Sequence, residues 1–313
     1  MSYVVPKETY SGKVYTLQFG SGNKTITVGG ENALPFLTFE GVIPHKPAIA
    51  IEIQDTPPAD WPETLQKVFE GVSGDPIGWA KYCQDTLKAE AIALRLISTH
   101  PDRENRSPGE AAKTVKDVLD AITVPLIILG SNHVEKDSQV LVATAEVAKG
   151  KNSVIGKAQE GNYKTIAAAA MANDLKLIAM SELDINLCKQ LNILLSQLGF
   201  DKEKILTDPM CSALGYGLEY TYSVMERIRA AAITQNDPTM QPPIIADIGM
   251  YVWKIKETVV SEVELPHWGS TVERGIAWEV ITAVSMIMAG AELLIMRHPK
   301  AVEGVKKVIE ELA

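Results

Sequence analysis

From Pro47 onward the chain repeats one pattern: a short apolar run, a stretch of helical periodicity, then another short apolar run. The runs are Ala48–Ile53, Ala91–Ile97, Pro125–Leu129, Ser153–Lys157, Leu177–Met180, Lys204–Leu206, Ile244–Ile248 and Glu292–Met296, eight in all. Near-continuous apolar runs of this length suit parallel strands covered by helices on the outside. The intervening segments carry helix start signals. Ser107-Pro108-Gly109-Glu110 offers a capping Ser, a Pro at the first helical position and a Glu at the third. Asp184 precedes a helix over Ile185–Leu198 and Gly199 ends it, with Leu187, Leu191, Leu194, Leu195 and Leu198 as its apolar face. The last helix, Pro299 to Leu312, turns Val302, Val305, Ile309 and Leu312 inward. Eight strands each followed by a helix predict an α/β fold, a closed (β/α)8 TIM barrel over residues 47–313. The competing open, doubly wound sheet lacks its G-x-G-x-x-G after a strand.

Residues 1–46 read differently, as an N-terminal β-hairpin extension. Lys13–Phe19 and Lys24–Val28 alternate in the strand manner, and Gly20-Ser21-Gly22-Asn23 supplies the turn. Gly29, Gly30 and Pro35 break the chain before a short extended piece at Phe36–Phe39.

Composition narrows the function. With 313 residues and 46% hydrophobic content the chain suits one barrel plus an extra segment. A formal net charge of -9 argues against a general nucleic-acid role. Cys83, Cys188 and Cys211 lie far apart with no C-x-x-C, so this chain offers neither a zinc site nor a four-thiolate cluster site. Sparse cysteines fit a reducing cytoplasm. Met1–Tyr10 has no apolar signal core, and the apolar stretch Ile281–Ile295 carries Gly290 and Glu292 and is too short to span a bilayer. A soluble cytoplasmic protein is expected.

Function in such barrels sits at the C-terminal ends of the strands, and here those ends are polar. Gln54-Asp55, Ser98-Thr99-His100, Ser131-Asn132-His133, Gln159-Glu160, Ser181-Glu182, Asp208, Asp247 and Arg297-His298 follow the runs in order. About half of these suit helix caps or solvated loops. His100 and His133 lack the spacing of a zinc motif. Lys157 has the place of a Schiff-base lysine, but a salt-bridged lysine is the plainer reading. No G-x-S-x-G and no glycine-rich phosphate loop after the seventh strand occurs. The top looks equipped to hold something rather than to react with it.

The most distinctive stretch is Asp208-Pro209-Met210-Cys211-Ser212-Ala213-Leu214-Gly215-Tyr216-Gly217-Leu218-Glu219-Tyr220. Gly215 and Gly217 flank Tyr216, so the backbone can closely approach a flat ligand or another chain. Together with Val28-Gly29-Gly30-Glu31-Asn32-Ala33-Leu34-Pro35-Phe36, Phe39-Glu40-Gly41, the first strand Ala48–Asp55 and Ser223-Val224-Met225-Glu226-Arg227-Ile228-Arg229, it resembles the small (delta-type) subunit of the corrinoid iron–sulfur protein of the acetyl-CoA decarbonylase/synthase system. The likeness covers nearly the whole chain.

The resemblance implies a heterodimer whose large subunit brings the iron–sulfur cluster and a cobamide-binding domain. The small subunit's barrel top then helps cover the shared cobamide. Its cobalt accepts a methyl group from methyltetrahydrofolate through a separate methyltransferase and passes it to acetyl-CoA synthase/carbon monoxide dehydrogenase. The expected cofactor-facing residues are Asp55, Asn132, Gln159, Asp208, Gly215, Tyr216 and Gly217. No catalytic residue and no metal ligand is expected of this chain. Two alternatives stay open. One is a pterin-binding barrel methyltransferase gripping its ring with Asp55, Asn132, Asp208 or Asp247. The other is a lyase using Lys157 as a Schiff base.

Overall fold

The computed structural model describes residues 4–22 and 24–312. Eight parallel strands close into a barrel: β3 (Ala48–Gln54), β4 (Ala91–Arg95), β5 (Leu126–Leu129), β6 (Val154–Ala158), β7 (Lys176–Met180), β8 (Ile205–Asp208), β9 (Ile244–Asp247) and β10 (Ala291–Met296). Each follows its neighbour in sequence, and β10 returns to pair with β3. These bounds lie within about two residues of the expected runs, because burial on both faces is what makes the runs apolar.

Alternate residues of each strand face opposite ways. Ile49, Ile51, Ile53, Ile92 and Leu94 join the large core between strands and helices. Ala48, Ala50, Ala91, Ala93, Ile127, Leu129, Leu206, Ile245, Leu293 and Ile295 fill the barrel interior. The same interior cluster contains Leu17, Phe19 and Val28. These come from an antiparallel hairpin, β1 (Leu17–Ser21) and β2 (Lys24–Val28), which lies across the N-terminal mouth of the barrel as a plug. Its tip is tied down where Gly20 N donates to Asn152 O (2.8 Å) and Asn152 Nδ2 donates to Gly20 O (2.9 Å).

Several local expectations change. The first hairpin strand begins at Leu17 rather than Lys13. Val14 N and Tyr15 N instead donate to Glu31 O and Gln241 O, so the residues before the strand are bonded outside the hairpin. Gly20 and Ser21 belong to the strand, and Asn23 of the expected turn lies outside the described residues. Phe36–Phe39 is not extended but turned, with Leu37 N donating to Leu34 O and Glu40 N to Leu37 O. Leu187, Leu198 and Leu312 are exposed instead of packed inward. On helix Ile185–Gln197 the buried face is Cys188, Leu191, Asn192 and Leu195.

The predicted caps form. The Ser107 side chain accepts from Glu110 N, and Glu110 accepts from Ser107 N, a reciprocal capping box. Asp184 accepts from Asn186 N and Leu187 N. Such a cap is worth about 1 kcal/mol.

Candidate functional site

One layer above the apolar interior, the inward positions become charged. Glu52 lies two residues beyond Ala50, Arg95 beyond Ala93, Asp208 beyond Leu206, Asp247 beyond Ile245 and Arg297 beyond Ile295. Lys157 joins them from β6, where the pairing with β7 slips between Ile155 and Ala158. All six are buried, none more than 4% exposed.

They form one connected ion layer. Arg95 Nε donates to Glu52 Oε1 (3.0 Å) and Nη2 to Asp247 Oδ2 (2.7 Å). Lys157 Nζ donates to Asp247 Oδ2 (2.7 Å) and lies 2.8 Å from Asp208 Oδ2. Arg297 Nη2 donates to Glu52 Oε1 (2.8 Å), and its guanidinium stacks over Trp61 at 4.6 Å. Three cations meet three carboxylates, so the layer is neutral as a unit, which is the condition for burying so much charge.

Burial alone pushes the Asp247 carboxyl up, but Arg95 and Lys157 more than offset it and hold it far below its ordinary range. Glu52 behaves likewise between Arg297 and Arg95. For Lys157 burial works against the charge, yet Asp208 and Asp247 hold the ammonium firmly protonated. A Schiff-base role needs a free amine, so the ion-paired reading of Lys157 is the one this geometry supports. Tyr251, at the edge of the layer, is pushed up to about 12, first by burial.

The loops above are tied by buried carboxyl groups. Asp55 accepts from Ser98 N (3.0 Å) and from the Ser98 hydroxyl, joining the first two strand-end loops. Asp137 accepts from Ser131 N and Asn132 N, holding the third. Glu279, from helix Thr271–Met288, accepts from Arg297 N (2.6 Å) and His298 N (3.0 Å), and burial lifts its pKa to about 7. His298 stacks on Trp253, accepts from Lys300 N at Nδ1 and is pushed down to about 4, mainly by burial.

His100 and His133 do lie together, with ring centroids 5.5 Å apart. Each Nδ1 accepts a backbone N–H, from Asp102 and Lys136 respectively, which places the ring proton on Nε2 of both.

The expected site residues therefore divide. Asp208 belongs to the ion layer and Asp55 is buried against Ser98. Asn132 is half-buried on the rim, with φ 70°, its amide donating only to the Met250 thioether (3.2 Å). Gln159 lines a recess of about 190 Å³ with Ser181, Leu187 and Gln190. Gly215 and Gly217 have φ of 80° and 99°, and a Cβ added at Gly215 would meet nothing within 4 Å. Tyr216 is 48% exposed, and its hydroxyl donates to Glu257 Oε2 (2.9 Å), tying this loop to the segment after β9. Glu52 and Arg95 escaped the sequence reading, and Arg297 was named only as a polar strand end. Their signal is a charge at the inward position where an apolar run ends.

The model of the CO dehydrogenase/acetyl-CoA synthase delta subunit family matches residues 16–306. The chain belongs to this family. It is 35% identical to the acetyl-CoA decarbonylase/synthase complex subunit delta of Archaeoglobus fulgidus, over 98% of this chain and 70% of that protein. The subunit of the same name from Methanocaldococcus jannaschii is 34% identical, over 97% of this chain and 75% of that protein. Among solved structures, the fold is similar to dihydropteroate synthase of Xanthomonas albilineans in complex with 7,8-dihydropteroate. There the TM-score is 0.60 at 13% identity, over 95% of this chain and 99% of that one. Dihydropteroate synthase of Coxiella burnetii in complex with pteroic acid gives 0.60 at 11% identity, over the same shares. At those identities the likeness is one of fold. The delta-subunit family makes this chain a component of a multi-subunit complex. Among the described residues no helix is long and apolar enough to cross a membrane.

Proposed function

We propose that this chain is the small subunit of a corrinoid iron–sulfur methyl carrier, and that its barrel top covers one face of the cobamide. The observation that carries the reading is the self-neutralised ion layer. The six charged side chains that close the barrel interior are ion-paired with one another, so this layer is a rigid polar platform rather than a reagent set. Such a platform suits a group that is chemically active by itself. The cobalt, when bound, supplies the methyl-accepting nucleophile; the large subunit supplies the iron–sulfur cluster and the carrier domain. This chain's residues orient the ring and exclude water.

The rim residues suit that task. Asn132 and Gln159 offer amide groups at the half-buried edge. Gly215 leaves open space in front of the backbone, and Tyr216 adds a flat amphipathic ring beside it. The partners are the large corrinoid iron–sulfur subunit, a methyltetrahydrofolate:corrinoid methyltransferase and acetyl-CoA synthase/carbon monoxide dehydrogenase. The test is reconstitution with the large subunit. A stable heterodimer on sizing that retains corrinoid and accepts methyl groups is expected. Absence of a complex, or corrinoid retention by the large subunit that ignores this chain, would overturn the reading.

A second reading, a pterin-binding methyltransferase, draws on one observation. Asp247 Oδ1, an acceptor, and Arg95 Nη1, a donor, are buried without a partner, and a heteroaromatic ring edge would satisfy both. Methyl transfer from methyltetrahydrofolate to free cob(I)alamin by the chain alone decides for it.

A further inference from the structure

At the opposite end of the barrel, a cleft of about 300 Å³ opens between residues 31–47 and the helices Thr271–Met288 and Pro299–Leu312. That is the small end of the range of ligand sites, about 300–1,000 Å³. Its walls are apolar, with Pro35, Phe36, Ile43, Ile287 and Ile309 among them. Its inner recess is not. Glu31 and Glu292 both line it, and both are more than nine-tenths buried.

Glu292 Oε2 accepts from Arg229 Nη2 (2.6 Å) and from Ile244 N (2.5 Å). Its other oxygen, Oε1, is buried with no donor in reach. An unpartnered carboxylate oxygen in an apolar wall costs free energy that a shared proton or a ligand donor would remove. Burial and then the Glu31 carboxyl, against the pull of Arg229, lift the Glu292 pKa well above the ordinary carboxyl range. Glu31 and Arg229 thus stand beside a Glu292 carboxyl that favours its protonated form. His45 and Lys46 stand on the rim of the 31–47 wall, where Lys46 is solvated.

We propose that this cleft is a binding site for an alkylammonium group, whose N–H donors satisfy the unpartnered Glu292 Oε1 while its alkyl chain lies along the apolar walls. The cation takes the place of a proton on Glu292, so the charge of the recess is unchanged: one proton leaves as one cation enters. A neutral alcohol lacks the charge that replaces the proton, and a carboxylate ligand adds a third acid to the pair. The site lies at the other end of the barrel from the platform described above and does not depend on that reading.

The probe is n-hexylammonium, compared by calorimetry with hexanol and hexanoate on the intact chain. Saturable binding of hexylammonium at least tenfold tighter than of hexanol is expected. Release of one proton, read from the dependence of the heat on buffer ionisation, makes affinity rise about tenfold per pH unit while Glu292 holds its proton. Nα-acetyl-lysine methylamide, tested beside it, tells a lysine side chain of a docking chain from a free amine by which binds tighter. Glu31→Gln places an amide donor next to Glu292 and should abolish the proton release and weaken binding at least tenfold. Should that variant not fold, Ile43→Trp, which fills the cleft and leaves the carboxyl pair intact, is expected to remove binding. Hexanol binding as well as hexylammonium, affinity flat with pH, or undiminished binding by a folded variant would overturn the proposal.

Discussion

The two mouths of this barrel are closed by opposite means. At the N-terminal mouth, Leu17, Phe19 and Val28 of the hairpin lie in the same apolar cluster as Ala48, Ala91 and Ile245. At the C-terminal mouth, Glu52, Arg95, Lys157, Asp208, Asp247 and Arg297 close the interior with ion pairs. The plug draws on the hydrophobic effect, which is non-directional and indifferent to pH. The ion layer is directional, and it holds only as a complete set, since each charge taken from water must find its opposite. The plug therefore tolerates repacking, whereas the layer fixes where each strand end stands. The end that fixes geometry is the one a barrel uses for function.

That contrast can be broken most severely at Asp247, which serves both Arg95 and Lys157. Asp247→Asn leaves two buried cations short of a counter-charge. A loss of about 5 kcal/mol is expected, read from urea midpoints. Adding Lys157→Met to it should recover part of that loss; two losses that simply add would mean the layer is not one unit. At the other mouth, Phe19→Ala should cost about 4 kcal/mol through the cavity it leaves. Its cost should not change between pH 5 and pH 8, in contrast to any variant among the titrating loops.

A third measurement sharpens the pH side. His298 has its pKa pushed down to about 4, below the roughly 6.5 of an unfolded histidine, so the unfolded chain binds more protons between those values. The stability it contributes is complete above pH 6.5 and is lost as pH falls through about 4. The size is about 3 kcal/mol by the same linkage. His298→Gln should flatten that acid limb; an unchanged limb would assign it to other groups. The smallest effect is expected at Gly215. Its φ of 80° strains any other residue, so Gly215→Trp should cost about 1–2 kcal/mol, yet its Cβ would meet nothing within 4 Å. Reduced corrinoid retention in the reconstituted heterodimer, with circular dichroism unchanged, is the outcome expected of the proposed function. Unchanged retention would move the corrin to another loop.

The strands were legible because burial on both faces writes itself into composition. The helix starts at Ser107 and Asp184 were legible because a cap is a local bond. Val14 and Tyr15 were not, since strand-like alternation there serves bonds to Glu31 and Gln241 that no local pattern announces. Leu187 and Leu198 show the same limit: periodicity gave the helix but not how wide a face its neighbours cover. Of the site, Asp208 could be picked out as a strand-end acid, whereas its partner Lys157 could only be weighed between two uses until the carboxylates around it were in place.

By itself, then, the sequence determined the eight-unit barrel, the hairpin before it and the polar character of the strand ends, because these follow from the period of burial and from local capping bonds. Which strand ends meet was decided only by closure of the barrel. Arg95 and Asp247 stand 152 residues apart in the chain and 2.7 Å apart in the fold. An inward-facing charge has its partner on another strand, and the ring must close before the two can neutralise each other.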